Sequence, residues 1–187
     1  MIFKPMIRMV MMRGGSRPRF THSNFLRVYP KATRVNSSIV NALEKYCKKG
    51  RFCALKLRLK CVIELDVGCG VAGFGMALVG CDVISTDQVE VLPLLMRNVD
   101  RNTSRIVQSH LGSAAELDWE NQDHIKAICP FDYIIGADIV YAEHLLESLE
   151  TIFALSGPKT TVLLGYEIRN TIVGQLFMNK CVTWFKI

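Results

Sequence analysis

The stretch Val62-Ile-Glu-Leu-Asp-Val-Gly-Cys-Gly-Val-Ala-Gly-Phe-Gly75 constrains the fold more than any other part of the chain. The apolar run from Cys61 to Asp66 reads as a short buried strand. Gly68 and Gly70 end it, and small residues from Val71 to Gly80 read as a helix that Gly80 stops. Glycines in such a turn let the backbone approach a ligand, and the following helix offers unpaired N–H groups. A second apolar run, Asp82-Val-Ile-Ser-Thr86, ends on Asp87, 19 residues after Gly68. An acid at the end of that second strand accepts hydrogen bonds from ribose hydroxyls. Strand, glycine turn, helix, strand and terminal acid together predict a nucleoside-cofactor site.

The turn also bears on which cofactor. A dinucleotide turn reads G-x-G-x-x-G and cradles a pyrophosphate. Here an acid, Glu64 or Asp66, precedes Gly68 and Gly70. An anionic side chain suits the cationic amino-acid end of S-adenosyl-L-methionine better than a pyrophosphate. S-adenosyl-L-methionine is therefore expected ahead of an NAD-type cofactor.

The rest of the chain continues the alternation. Ser37 to Lys49 reads as a helix, and Val89 to Asn102 as another with Val91, Leu94, Leu95 and Val99 on one face. A weak strand is expected near Ala114–Leu117 and a strong one over Phe131 to Gly136, running into Ala137-Asp138. A helix over His144–Leu155, a strand over Thr160–Leu164 and a helix over Thr171–Met178 follow, and Cys181 to Phe185 reads as the start of one more strand. Strands alternating with helices of this length make a mostly parallel sheet with right-handed crossovers and helices on both faces. The class is α/β, Rossmann-like.

Charge divides the chain. Residues 1–60 hold 15 Lys and Arg against one acid, Glu44, whereas residues 61–187 hold 8 basic and 16 acidic residues. The overall charge of +6 describes neither part. Two units are expected: a basic, poorly ordered extension over 1–36 and the folded domain over 37–187. The first 43 residues contain no acid and include Arg8, Arg13, Arg17, Arg19, Arg27 and Arg34, a composition shared with organellar transit peptides. A nucleic-acid arm is the weaker reading, because no recognisable binding module accompanies these residues.

Seven cysteines, an odd number with no C-x-x-C pair, read as free thiols in a reducing compartment. The expected location is the cytoplasm, or a mitochondrion or plastid if the front is a transit peptide. His22, His110, His124 and His144 pair with no Cys or His at ligand spacing, so no metal site is expected. No run of 18 apolar residues predicts a membrane span.

Four ordered motifs carry a family resemblance. They are Glu64-Leu-Asp-Val-Gly-Cys-Gly-Val-Ala-Gly73, Thr86-Asp87-Gln88 followed by Val91-Leu-Pro-Leu-Leu95, Leu117-Asp118-Trp119, and Gly136-Ala-Asp-Ile-Val-Tyr141. From about Ser37 to Asn170 the chain resembles the class I, seven-β-strand methyltransferases of lysine methyltransferase family 16, especially plant proteins similar to methyltransferase-like 21. The resemblance implies a Rossmann-like S-adenosylmethionine-dependent fold and methylation of a lysine on a protein substrate. It implies that Glu64, Asp66, Val67, Gly68 and Gly70 hold the methionine and ribose portions. Asp87 would bind the ribose hydroxyls, Trp119 would lie against the adenine, and Ala137 would contact the cofactor through its backbone. Asp138 and Tyr141 would be the catalytic pair lining the lysine channel. The Asp138-Ile-Val-Tyr141 sequence differs from the N/D-P-P-Y of enzymes that methylate base amines, so no DNA substrate is expected.

The chain departs from the family pattern in four places. Asp66 and Val67 stand where the family motif has Gly and Ala, although Asp66-Val-Gly-Cys-Gly fits the D-x-G-x-G of other methyltransferases. Thr33 aligns with a family Trp, with Tyr29-Pro30 nearby, and the segment between Ile106 and Ala115 is shorter. The family's two final strands exceed the room before Ile187, so the C-terminal strands are expected to be truncated and the Thr160–Leu164 strand to keep an open edge unless something covers it. These departures leave a second reading, a methyltransferase fold kept as a binding module or relic without catalysis.

Overall fold

The computed structural model describes residues 6–12, 57–68, 70–78, 80–102, 111–118, 121, 131–137, 139, 148–167 and 171–184. Its strands are β1 (Met6–Met12), β2 (Cys61–Leu65), β3 (Asp82–Asp87), β4 (Leu111–Glu116), β5 (Phe131–Ala137) and β6 (Ser156–Glu167). Its helices are α1 (Val71–Leu78), α2 (Leu92–Asn102), α3 (Ser148–Ala154) and α4 (Thr171–Trp184). The strands form one sheet in the order β1-β6-β5-β2-β3-β4, and every pairing is parallel.

β2 lies at the centre, and Val62 to Leu65 are all buried. A strand covered on both faces reads as a continuous apolar run, which is why Val62-Ile63 and Leu65 flank a single polar residue, Glu64. Side chains alternate between two cores. On one face Ile63, Leu65, Ile134, Val162 and Leu164 meet Leu149 and Ile152 of α3 and Val173, Phe177 and Cys181 of α4. On the other, Val62, Val83, Ile135 and Leu163 meet Val71, Ala72, Phe74, Met76 and Ala77 of α1. At the amino ends of β2 and β5, Lys60 Nζ pairs with Asp132 Oδ1 at 2.7 Å, and Asp132 Oδ2 accepts from the Cys61 amide at 3.1 Å.

Three expectations change. The strand expected from Cys181 to Phe185 does not form; α4 continues to Trp184. Val173, Phe177 and Cys181, spaced four apart, are all buried, so the helical face wins over local β preference. In α2 the buried residue is Leu95, fully covered, whereas Leu94 is 47% exposed. The face expected to carry both turns only Leu95 inward.

The third change concerns the sheet edge. β6 runs well beyond Thr160–Leu164. Its first residues bulge, so that Phe131 pairs with Ser156 but Tyr133 pairs with Thr161. The Thr160 hydroxyl fills that gap, donating to Phe131 O at 2.6 Å and accepting from Gly157 N at 2.8 Å. The outer side of β6 is occupied: β1 lies along it from Met6↔Thr161 to Met12↔Glu167. The expected poorly ordered extension therefore contributes a strand at Met6–Met12. The rest of that front, and the expected helix over Ser37–Lys49, lie outside the described residues, as does the start of the helix expected from His144. Among the described residues no helix is long and apolar enough to cross a membrane.

Candidate cofactor site

The chain leaves β2 through α1 to β3 and through α2 to β4, building the sheet outward on one side; β5 then pairs on the other side of β2. The order reverses between β2 and β5. In open α/β sheets the crevice at the carboxyl ends of strands flanking such a reversal is where ligands bind. The glycine turn after β2 and Ala137 at the end of β5 fall there, and Asp87 at the end of β3 stands next to the turn.

The turn is held by its neighbours. Gly68 and Gly70 have φ of +53° and +86°, conformations that a side chain disfavours. Val67 N donates to Thr86 O at 3.2 Å, and Gly68 N donates to Asp87 Oδ2 at 2.7 Å. Asp87 Oδ1 accepts from Gln88 N at 2.8 Å. Asp87 is only 6% exposed, so these bonds fix the carboxylate rather than let it rotate in water. Each carboxylate oxygen keeps accepting capacity beyond these bonds, enough for two ribose hydroxyls.

Glu64 lies beneath the turn rather than in the crevice. It is 1% exposed, and its carboxyl accepts from the amides of Ala72 and Gly73 in the first turn of α1 and from Ser85 Oγ at 3.2 Å. Its backbone carbonyl accepts from Thr86 Oγ1 at 2.7 Å. Burial away from water pushes the carboxyl up to about 8, against the lowering effect of those donors, and the nearby Asp87 charge adds to the rise. A Cβ at position 73 would overlap Glu64 Oε2 and come within 2.9 Å of Ser85 Oγ. Glycine there is a requirement of the packing.

Asp66, by contrast, is half-buried at the mouth, with a φ of +50°. Val67 is buried, and Ala137 is half-buried beside Gly165 of β6. The structure thus brings together Glu64, Asp66, Val67, Gly68, Gly70, Asp87 and Ala137 of the residues expected from sequence. Trp119, Asp138 and Tyr141 lie outside the described residues. Ser85, Thr86 and Gly73 were not expected; the signal was two hydroxyl residues closing an otherwise apolar strand opposite a buried acid. Among the described residues no group of three His, Cys, Asp or Glu stands close enough to hold a metal.

The fold and this crevice define the class first. The structure superposes on magnesium protoporphyrin IX methyltransferase from Synechocystis PCC 6803 with bound SAM at a TM-score of 0.56 and 12% identity, covering 83% of this chain and 77% of that one. The CurJ carbon methyltransferase gives a TM-score of 0.53 at 17% identity, over 78% of this chain and 38% of that one. The architecture is the Rossmann-like class I methyltransferase fold. Within that class, residues 35–183 match the lysine methyltransferase family, and the chain belongs to it. It is 38% identical over 108 residues to the protein-lysine methyltransferase METTL21E of Bos taurus, covering 56% of this chain and 37% of that protein. It is 38% identical over 114 residues to the protein N-lysine methyltransferase METTL21A of Danio rerio, covering 60% and 52%. To EEF1A lysine methyltransferase 3 of Xenopus tropicalis it is 33% identical over 116 residues, covering 62% and 50%. The chain thus spans about half or less of the length of these relatives.

Proposed function

We propose that this chain is an S-adenosyl-L-methionine-dependent protein-lysine N-methyltransferase. One observation carries the reading: a buried Asp87 carboxylate at the end of β3 bonded to the Gly68 amide of the turn that leaves β2 at the sheet's reversal, inside the span that matches the family. The relatives named as protein-lysine methyltransferases support the choice of reaction and of a protein substrate. The cofactor supplies an activated methyl group on a sulfonium.

The chain's own residues bind and align. Asp87 would take the ribose hydroxyls, and the backbone of Val67, Gly68 and Gly70 the methionine portion. Glu64 holds that backbone from below through α1. Ala137 would offer backbone contact from β5, and by the family resemblance Trp119 would cover the adenine. By the family resemblance, Asp138 would orient the incoming lysine amine by hydrogen bond, and Tyr141 would line its channel. A lysine ordinarily holds its proton up to about pH 10.4. Desolvation beside a cationic centre lowers that value and frees the nucleophile. Alignment then supplies most of the acceleration of an in-line displacement. The odd number of cysteines without a C-x-x-C pair favours a reducing compartment, the cytoplasm first.

The test is incubation of the purified chain with methyl-tritiated cofactor and a soluble cell extract, followed by acid hydrolysis. Label recovered as N-methyl-lysine, and lost with Asp138→Ala, is expected. Label in nucleic acid, or none from a chain that binds the cofactor, overturns the reading; the second result would mark a binding module.

A further inference from the structure

Either of two acids preceding the glycines can meet the charged end of the cofactor, and the structure separates their tasks. Glu64 is sealed under α1, with its carboxyl committed to Ala72, Gly73 and Ser85. Asp66 stands outside the sheet at the carboxyl end of β2, half-buried, where the crevice opens between β2 and β5. Its φ of +50° lies in the left-handed region, which Asp and Asn enter more readily than other side chains but less readily than glycine. The backbone cannot relax out of it locally. Leu65 is paired with Gly136, Val67 N is bonded to Thr86 O, and Gly68 N to Asp87. A strained position that glycine would fill without cost holds instead a carboxylate, beside the turn that receives the cofactor.

We infer that Asp66 is a charge-selecting residue, favouring the methyl-bearing sulfonium cofactor over its demethylated thioether product. The inference rests on the cofactor reading above. S-adenosyl-L-methionine carries one more positive charge than S-adenosyl-L-homocysteine, and the two are otherwise alike in adenosine and amino acid. A negative charge beside the turn would stabilise the added positive charge, which only the first carries. In a half-solvated crevice the effect amounts to about threefold to tenfold in affinity. The same charge eases release of the product once the methyl group has left.

The test is calorimetric titration of both ligands into the whole chain and into Asp66→Asn and Asp66→Gly. Asparagine keeps the size and tolerates the same φ, so it removes the charge without disturbing the backbone. Asp66→Asn should weaken S-adenosyl-L-methionine at least about threefold while changing S-adenosyl-L-homocysteine less than about twofold. Asp66→Gly should lose the same discrimination while melting at a higher temperature than the parent, because glycine relieves the backbone. If Asp66→Asn weakens both ligands equally, or neither, the inference falls while the cofactor reading stands. If the unmodified chain binds neither ligand, both fall.

Discussion

Burial and hydrogen bonding pull the Glu64 carboxyl in opposite directions, and burial wins, raising it from 4.5 to about 8. Between those values the folded chain holds a proton that the unfolded chain has released. Stability is therefore greatest below about pH 4.5 as far as this group is concerned, and falls as pH rises toward about 8. Each pH unit in that window costs up to about 1.4 kcal/mol. Urea unfolding from about pH 5 to about pH 8 should show this slope in the parent and a flatter one in Glu64→Gln. Equal slopes would show that Glu64 is not the titrating group. At Gly73 the expected cost is steric. Gly73→Ala forces a methyl against Glu64 Oε2, Ser85 Oγ and Val83, and should lower stability by about 1–3 kcal/mol by denaturant titration. An unchanged midpoint would mean that α1 shifts freely. The sequence pattern marked the turn and Asp87 correctly as neighbours, because strand, turn and terminal acid have fixed spacing. It left Glu64 and Asp66 interchangeable, because only packing tells a capped carboxyl from one at the mouth.

At the scale of elements, strands with continuous apolar runs were legible, and those defined by partners far along the chain were less so. β2, β3 and β5 follow from their own residues. β1 does not: nothing in Met6-Ile-Arg-Met-Val-Met-Met12 announces a strand without β6 beside it. The parallel pairing covers an edge that would otherwise invite association with other chains. Deleting residues 1–12 should uncover β6, lower the melting temperature and bring on aggregation visible by light scattering. A truncated chain that melts and sediments like the parent would show that β1 contributes nothing to the sheet. α4 was read short for the opposite reason, since Val-Thr-Trp-Phe favours a strand locally while Val173, Phe177 and Cys181 bury one helical face. Burial also pushes the Cys181 thiol up to about 12. Iodoacetamide at about pH 8 should label exposed Cys61 in the native chain and spare Cys181, as read by peptide mass spectrometry. Rapid native labelling of Cys181 would contradict the packing of α4.

For the molecule as a whole, the charge division was legible from composition, and its meaning was not. The acidic body contains the crevice, while a piece of the basic front is built into the sheet as β1. Alternating strands and helices implied a parallel sheet with right-handed crossovers, but not its strand order, so the reversal between β2 and β5 emerges only from the pairing of distant strands. The substrate lies beyond this reach, because substrate choice resides in loops whose residue types follow no period. If Asp87 and the glycine turn form a cofactor site, calorimetric titration with S-adenosyl-L-methionine will show it. One cofactor should bind per chain in the micromolar range, and Asp87→Ala should weaken binding at least about tenfold. A folded parent chain that takes up no cofactor, or an Asp87→Ala variant that binds it as tightly as the parent, would contradict the account.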